Sequence, residues 1–185
     1  MYSRDSQPVQ FERDCPAVMV PHGQVVVLPA GSYGYITQAL GGSFTVYVEG
    51  NLFRIAGVDA DAIGQELPQT LTLPNDADDD AIEQLLWQQL RTCFDPEIPV
   101  NIVDLGLVYA VQLHPSDTDP AQRVVRIEMT LTAPGCGMGD VLVDDVRHKL
   151  LLVPMISRVD VALVFDPPWN RQMMSEAARL ETGFF

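Results

Sequence analysis

The run RVVRIEMTLTAPGCGMGDVLVDDVRHKLL, residues 123–151, changes its hydrophobic period halfway along. In its first part Val125, Ile127, Met129 and Leu131 alternate with Arg126, Glu128 and Thr130, the period of two that a half-buried strand requires. In its last part Leu142, Val146 and Leu150 stand four apart, which predicts a helix over about 138–151. Between the two lies APGCG, and after them RVDVALVF at 158–165 alternates again. Strand, glycine loop, helix and strand in that order predict a small sheet with helices on one face.

Upstream, Ile82, Leu85, Leu86 and Leu90 share one face of a helix expected over 81–92, and Cys93 continues the stripe. The helix should stop before DPEIP, where two prolines impose extended backbone. IVDLGLVYAVQL at 102–113 then alternates through Leu105, Leu107, Tyr109, Val111 and Leu113 and reads as a strand, with HPSDTDPAQ as the loop after it. Downstream, residues 170–182 read as a last amphipathic helix capped by Asn170 and stopped by Gly183. The expectation for 81–185 is a two-layer α-β-β-α-β domain with a C-terminal helix, α+β in class.

The first third has another rhythm. QVVVL at 24–28, YGYITQ at 33–38, FTVYVE at 44–49 and NLFRIA at 51–56 are short β-rich runs separated by glycine turns. They predict a small antiparallel, barrel-like domain over 1–73. Residues 74–80, rich in aspartate, read as a linker. The aspartates there invite a cation-site reading, but acidic residues before a helix serve its positive end, and Asp80 with Glu83 makes a capping-box variant.

Bulk properties narrow the function. The 185 residues carry 25 Asp and Glu against 11 Lys and Arg, a formal net charge of −14. Phosphate binding needs clustered cations, so nucleic acid is not an expected partner. LLLVPMI at 150–156 is the most apolar stretch and far too short to span a membrane. Cys15, Cys93 and Cys136 are widely spaced and odd in number, which suits free thiols in a reducing cytoplasm better than a disulfide framework. No segment at the N-terminus has the pattern of a secretory signal.

Cys136 is the residue with chemistry in reach. It stands between Gly135 and Gly137 at the turn into a helix, where unpaired amides favour a thiolate and small neighbours leave sulfur uncovered. The plain alternative is a small apolar plug. A phosphate loop is disfavoured, because no Gly-Lys-Ser/Thr follows and Asp140 occupies the first helical turn. His148, twelve residues along the same helix, is about 18 Å from the thiol at 1.5 Å per residue. His22 and His114 fall in expected turns. Asp95 and Glu97, flanking Pro96, and Asp104, one residue before the apolar alternation, are candidate acidic neighbours, with ordinary turn chemistry as the competing reading for Asp95-Pro96-Glu97. Trp169, Met173 and Met174 could contact a partner or fold back on their own core.

DPEIPVNIVDLGLVY at 95–109 and TAPGC at 132–136 resemble the signature of the MIP-type iron–sulfur assembly family. DPPW at 166–169, MMSEAARL at 173–180, and the N-terminal RDCPAVMVPHG, ITQALGGSFTVYVEGNL and DADAIG resemble its SufT branch. The resemblance implies an accessory role in maturing iron–sulfur proteins, with Suf-type assembly proteins and apo-targets as partners, and no catalytic turnover. By position it implies that Cys136 is the family's reactive cysteine and that Asp95, Glu97, Asp104, Thr132 and Pro134 belong to the motifs around it. Cys15 and Cys93 match cysteines of the SufT branch and are weaker candidate ligands. A protein-held cluster ordinarily takes about four thiolates. Three scattered cysteines therefore suggest transient ligation of iron or a cluster by Cys136, completed from elsewhere, homo-oligomers included. A thiol-dependent enzyme with Cys136 as nucleophile, and a pure protein-binding module, stand as alternatives.

Overall fold

The structure is a computed structural model and describes residues 6–68, 71–74, 77–95, 98–133 and 138–183. The chain divides into two compact units, 1–69 and 70–185.

The first unit is a six-stranded antiparallel sheet of β1 (Gln7–Gln10), β2 (Cys15–Val20), β3 (Val25–Leu28), β4 (Tyr33–Leu40), β5 (Ser43–Val48) and β6 (Asn51–Ile55), in the order β1-β4-β5-β6-β2-β3. The expected barrel is thus corrected: β1 and β3 do not pair, and the sheet stays open with both as edges. Strands β1 and β2 were not expected as such, since QPVQ and CPAVMV are short and carry proline. Val9, Ile36, Val46, Phe53, Ile55, Cys15, Ala17 and Leu28 line one face. A 3-10 helix over Gly57–Ile63, which was not expected, closes that face with Ala62 and Ile63. Arg13 holds this helix in place, its Nη2 lying 2.9 Å from Asp59 and 2.6 Å from Asp61. The doubly bonded guanidinium is held above its ordinary pKa, and its hydrogen bond holds the Asp61 carboxyl below the usual range.

In the second unit α1 (Asp79–Leu90) and α2 (Gly139–Leu151) pack on a three-stranded sheet of β7 (Val108–Pro115), β8 (Arg123–Met129) and β9 (Ile156–Leu163). β7 runs antiparallel to β8, and β9 parallel to it through the α2 crossover. Ile82, Leu86 and Leu90 of α1 and Leu142, Val146 and Leu150 of α2 meet Val125, Ile127 and Met129 in one core, as their spacing predicts. Leu71 and Leu73 also pack against this core, so the ordered part of the unit begins before the acidic run.

Four local expectations are corrected. Helix α1 is capped by Asp78, whose carboxylate accepts from the Ala81 amide at 2.9 Å, so the proposed Asp80–Glu83 box does not form. Glu83 instead accepts from Trp87 Nε1. The strand expected over 102–113 begins only at Val108, because 102–106 form hydrogen-bonded turns. The expected tail helix is broken: a 3-10 turn over Arg171–Met173, capped by Asn170, passes through extended Met174 into α3 (Glu176–Thr182), which Ser175 caps and Gly183 ends. His114 lies in β7, exposed, rather than in a turn.

Candidate functional site

The segment after α1 is built from side-chain-capped turns. Ile102 N donates to Cys93 O at 2.9 Å, a bridge joins Phe94 to Asn101, and Asp95 N donates to Val100 O at 3.2 Å. Inside this hairpin-like loop Asp95 is buried, and its Oδ1 accepts from the Ile98 amide at 2.9 Å. Asn101 does the same for the next turn. Its Oδ1 accepts from Val103 N and Asp104 N at 3.1 and 2.9 Å, while its Nδ2 donates to Asp104 Oδ2 at 2.6 Å. Asp95 thus braces one backbone turn directly, while the Asp104 carboxylate holds the Asn101 side chain that braces the next, the chemistry of Asx turns. Asn101 was not singled out from the sequence, although an asparagine three residues before an aspartate is a turn signal of this kind.

Gly106 completes the second turn with φ +71°. A Cβ there would sit 2.2 Å from the Met173 carbonyl oxygen, so the backbone of the C-terminal segment passes directly over it. That segment is tied down at both sides. Trp169 Nε1 donates to Leu105 O at 2.8 Å, Ser175 N donates to Asp104 O at 2.8 Å, and Tyr109 Oη donates to Pro167 O at 2.8 Å. Met174 is buried in the core and Trp169 packs against it. Trp169, Met173 and Met174 fold back on their own unit, the plainer of the two readings given them.

Immediately after Gly106, Leu107 O accepts from Thr130 N at 2.9 Å, which joins the turns to the start of the thiol loop. Thr130 is fully buried, and its hydroxyl has no hydrogen-bond partner among the described residues. Its place in the alternation, with exposed Glu128, gave no sign of this burial. Thr132 follows, half-buried. The loop rejoins the fold at Met138, buried and serving as the N-cap of α2 without a side-chain cap bond. Leu131 Cδ1 lies 2.6 Å from where a Cβ on Gly139 would be, so the two flanks of the loop touch. A side chain at position 139 would press on the Leu131 side chain, which would have to shift. Cys136, Glu97, Pro134, Gly135 and Gly137 lie outside the described residues.

The other two thiols are core residues. Cys15 is fully buried in the sheet core of the first unit, with its S–H donating to Pro16 O at 3.4 Å. Burial pushes this thiol up to about 11, nearby Asp59 adding to the effect and Arg13 opposing it. Cys93 is fully buried in the core of the second unit, its S–H donating to Gln89 O at 3.7 Å. Among the described residues no group of three or more His, Cys, Asp or Glu side chains is arranged to hold a metal ion. Nor is any helix among them long and apolar enough to cross a membrane.

Residues 83–163, all within the second unit, match the model of a family described as iron–sulfur cluster assembly protein. The chain is 46% identical over 102 residues to an Fe-S protein maturation auxiliary factor of Porphyromonas gingivalis, covering 55% of this chain and 91% of that protein. It belongs to the iron–sulfur cluster assembly family. It is also 39% identical over 89 residues to the Fe-S protein maturation auxiliary factor SufT of Staphylococcus aureus, covering 48% of this chain and 94% of that one. Within the family the chain is a SufT-type protein. A solved structure of a DUF59 domain from Bacillus anthracis is 37% identical, with a TM-score of 0.48 and coverage of 57% of this chain and 95% of that one.

Proposed function

We propose that this protein is an accessory factor in the maturation of iron–sulfur proteins, in which Cys136 takes up iron or a cluster briefly and passes it to an apo-protein. The names of the relatives, maturation auxiliary factors, support the process. The observation that carries the finer reading is the position of the other two sulfurs. Cys15 and Cys93 are both closed inside hydrophobic cores with their thiols turned to backbone carbonyls, so of the three cysteines Cys136 is the one left to take up iron. One thiolate leaves about three cluster positions to be filled by an acceptor, an assembly protein or a small thiol, which favours handing on over storage. Transfer is then ligand exchange: the acceptor's thiolates replace the Cys136 sulfur on iron with no change of oxidation state.

The test is an anaerobic titration of wild type and Cys136→Ser with iron and sulfide, followed by mixing with an apo-acceptor. Thiolate-to-iron absorption and acceptor activation that disappear in Cys136→Ser are expected. Equal absorption and transfer in both proteins, or none in either, would overturn the carrier reading.

A further inference from the structure

The two edges of the six-stranded sheet differ. Edge strand β1 carries Pro8, which cannot donate to a further strand, and glutamines on either side. Edge strand β3 reads VVVL and has neither proline, charge nor bulge. Natural sheets protect such edges with lysine, proline or a covering element. Here the whole stretch from Cys15 to Val48 contains no Asp, Glu, Lys or Arg, in a chain whose net charge is −14.

The pairing register shows which groups of β3 are free. Cys15, Ala17 and Val18 face Leu28, Val26 and Val25, and Met19 N donates to Gln24 O at 2.8 Å in the same register. Hydrogen-bonded and non-hydrogen-bonded pairs alternate along an antiparallel ladder. Met19–Gln24 therefore places Ala17–Val26 and Cys15–Leu28 in the bonded class, and Val18–Val25 and Pro16–Val27 in the other. Pro16, without an N–H, fits that assignment. The amides and carbonyls of Val25 and Val27 consequently point away from β2, and among the described residues they meet no further strand. Their side chains are 71% and 61% exposed.

We propose that β3 pairs with β3 of a second copy of this chain, antiparallel about a two-fold axis at Val26, to make one continuous sheet across a homodimer. The geometry is self-complementary. With Val26 on the axis, Val25 of each copy faces Val27 of the other, and each such pair exchanges both N–H···O bonds. The outward-pointing groups are the ones this register uses. Two copies of so acidic a chain repel over most of their surfaces, and the charge-free β3 edge is where they approach with the least of that repulsion. The proposal is independent of the role given to Cys136.

Sedimentation equilibrium of the full-length protein over a wide concentration range tests it. Wild type is expected at about twice the monomer mass at high concentration. Val27→Pro, which removes an outward N–H and leaves the bonds to β2 intact, should halve that mass with unchanged circular dichroism. Val25→Lys should do the same, and adding Val27→Glu should restore the dimer by setting opposite charges across the axis. A wild type that stays monomeric throughout, a dimer that survives folded Val27→Pro, or a double variant that stays monomeric would each overturn the pairing.

Discussion

Gly106→Ala isolates how much the C-terminal strap holds the motif turn. Any side chain at φ +71° bears the left-handed backbone cost, about 1 kcal/mol. The new Cβ would also lie 2.2 Å from the Met173 oxygen and 2.8 Å from its carbonyl carbon. These are backbone atoms, so the strap itself must lift. Lifting it strains the Ser175–Asp104 and Trp169–Leu105 hydrogen bonds, each with a net contribution of about 1 kcal/mol. The expected loss is about 3 kcal/mol. Gly183→Ala is the comparison, because Gly183 has φ +72° with nothing within 4 Å of its would-be Cβ; it should lose only about 1 kcal/mol. For a unit of this size each kcal/mol moves the melting temperature by about 4 °C. Trp87 and Trp169 both belong to the second unit, so fluorescence during thermal or urea unfolding reports that unit. If Gly106→Ala melts no lower than Gly183→Ala, the strap does not clamp the turn as described.

Two further outcomes follow from the buried sulfurs. The Cys15 thiol is pushed up to about 11 in the fold from an ordinary 9.0, so its contribution to stability is complete below pH 9 and is lost as pH rises towards 11. Urea midpoints of the first unit should fall across that window, and Cys15→Ala should flatten the slope. Alkylation of the native protein followed by peptide mass spectrometry should leave Cys15 and Cys93 unmodified until denaturant is added. Labelling of either as fast as in the unfolded chain would contradict their burial.

Helices α1 and α2 and strand β8 were legible because their periods and their burial coincide: Leu142, Val146 and Leu150 point where their spacing says. Leu105 and Leu107 misled for the same reason in reverse. Both are fully buried and two apart, yet Leu105 reaches the core from a turn that Asn101 caps, and only β7 beyond them is strand. The tail misled because MMSEAARL is a good helical sequence, whereas Met174, buried in the core, has an extended backbone. Closure of the first sheet was beyond reach of a strand count, since it depends on whether β1 meets β3. At the site, turn chemistry was the competing reading for Asp95, whose carboxylate does accept from a turn amide, whereas the turn built by Asn101 and the part Asp104 takes in holding it were not foreseen. The strap's grip on Gly106 joins residues far apart in the chain, and no local pattern announces it.

Lys149 carries a consequence for the helix pair. Its Nζ donates to Thr92 O at 2.6 Å and lies 3.0 Å from Asp145 on its own helix. The last turn of α1 has no basic residue of its own. At the negative end of α1 the C-cap residue Arg91, which donates to Trp87 O, is thus joined by a cation projecting from another helix, with Asp145 keeping the lysine aimed. Electrically, α1 ends inside α2. Leucine packing alone would tolerate a small axial slip between two such rods; a slip of one residue, about 1.5 Å, would pull the ammonium off its carbonyl. The lysine acts as a detent, setting the lengthwise position of α1 against the helix that begins at the thiol loop.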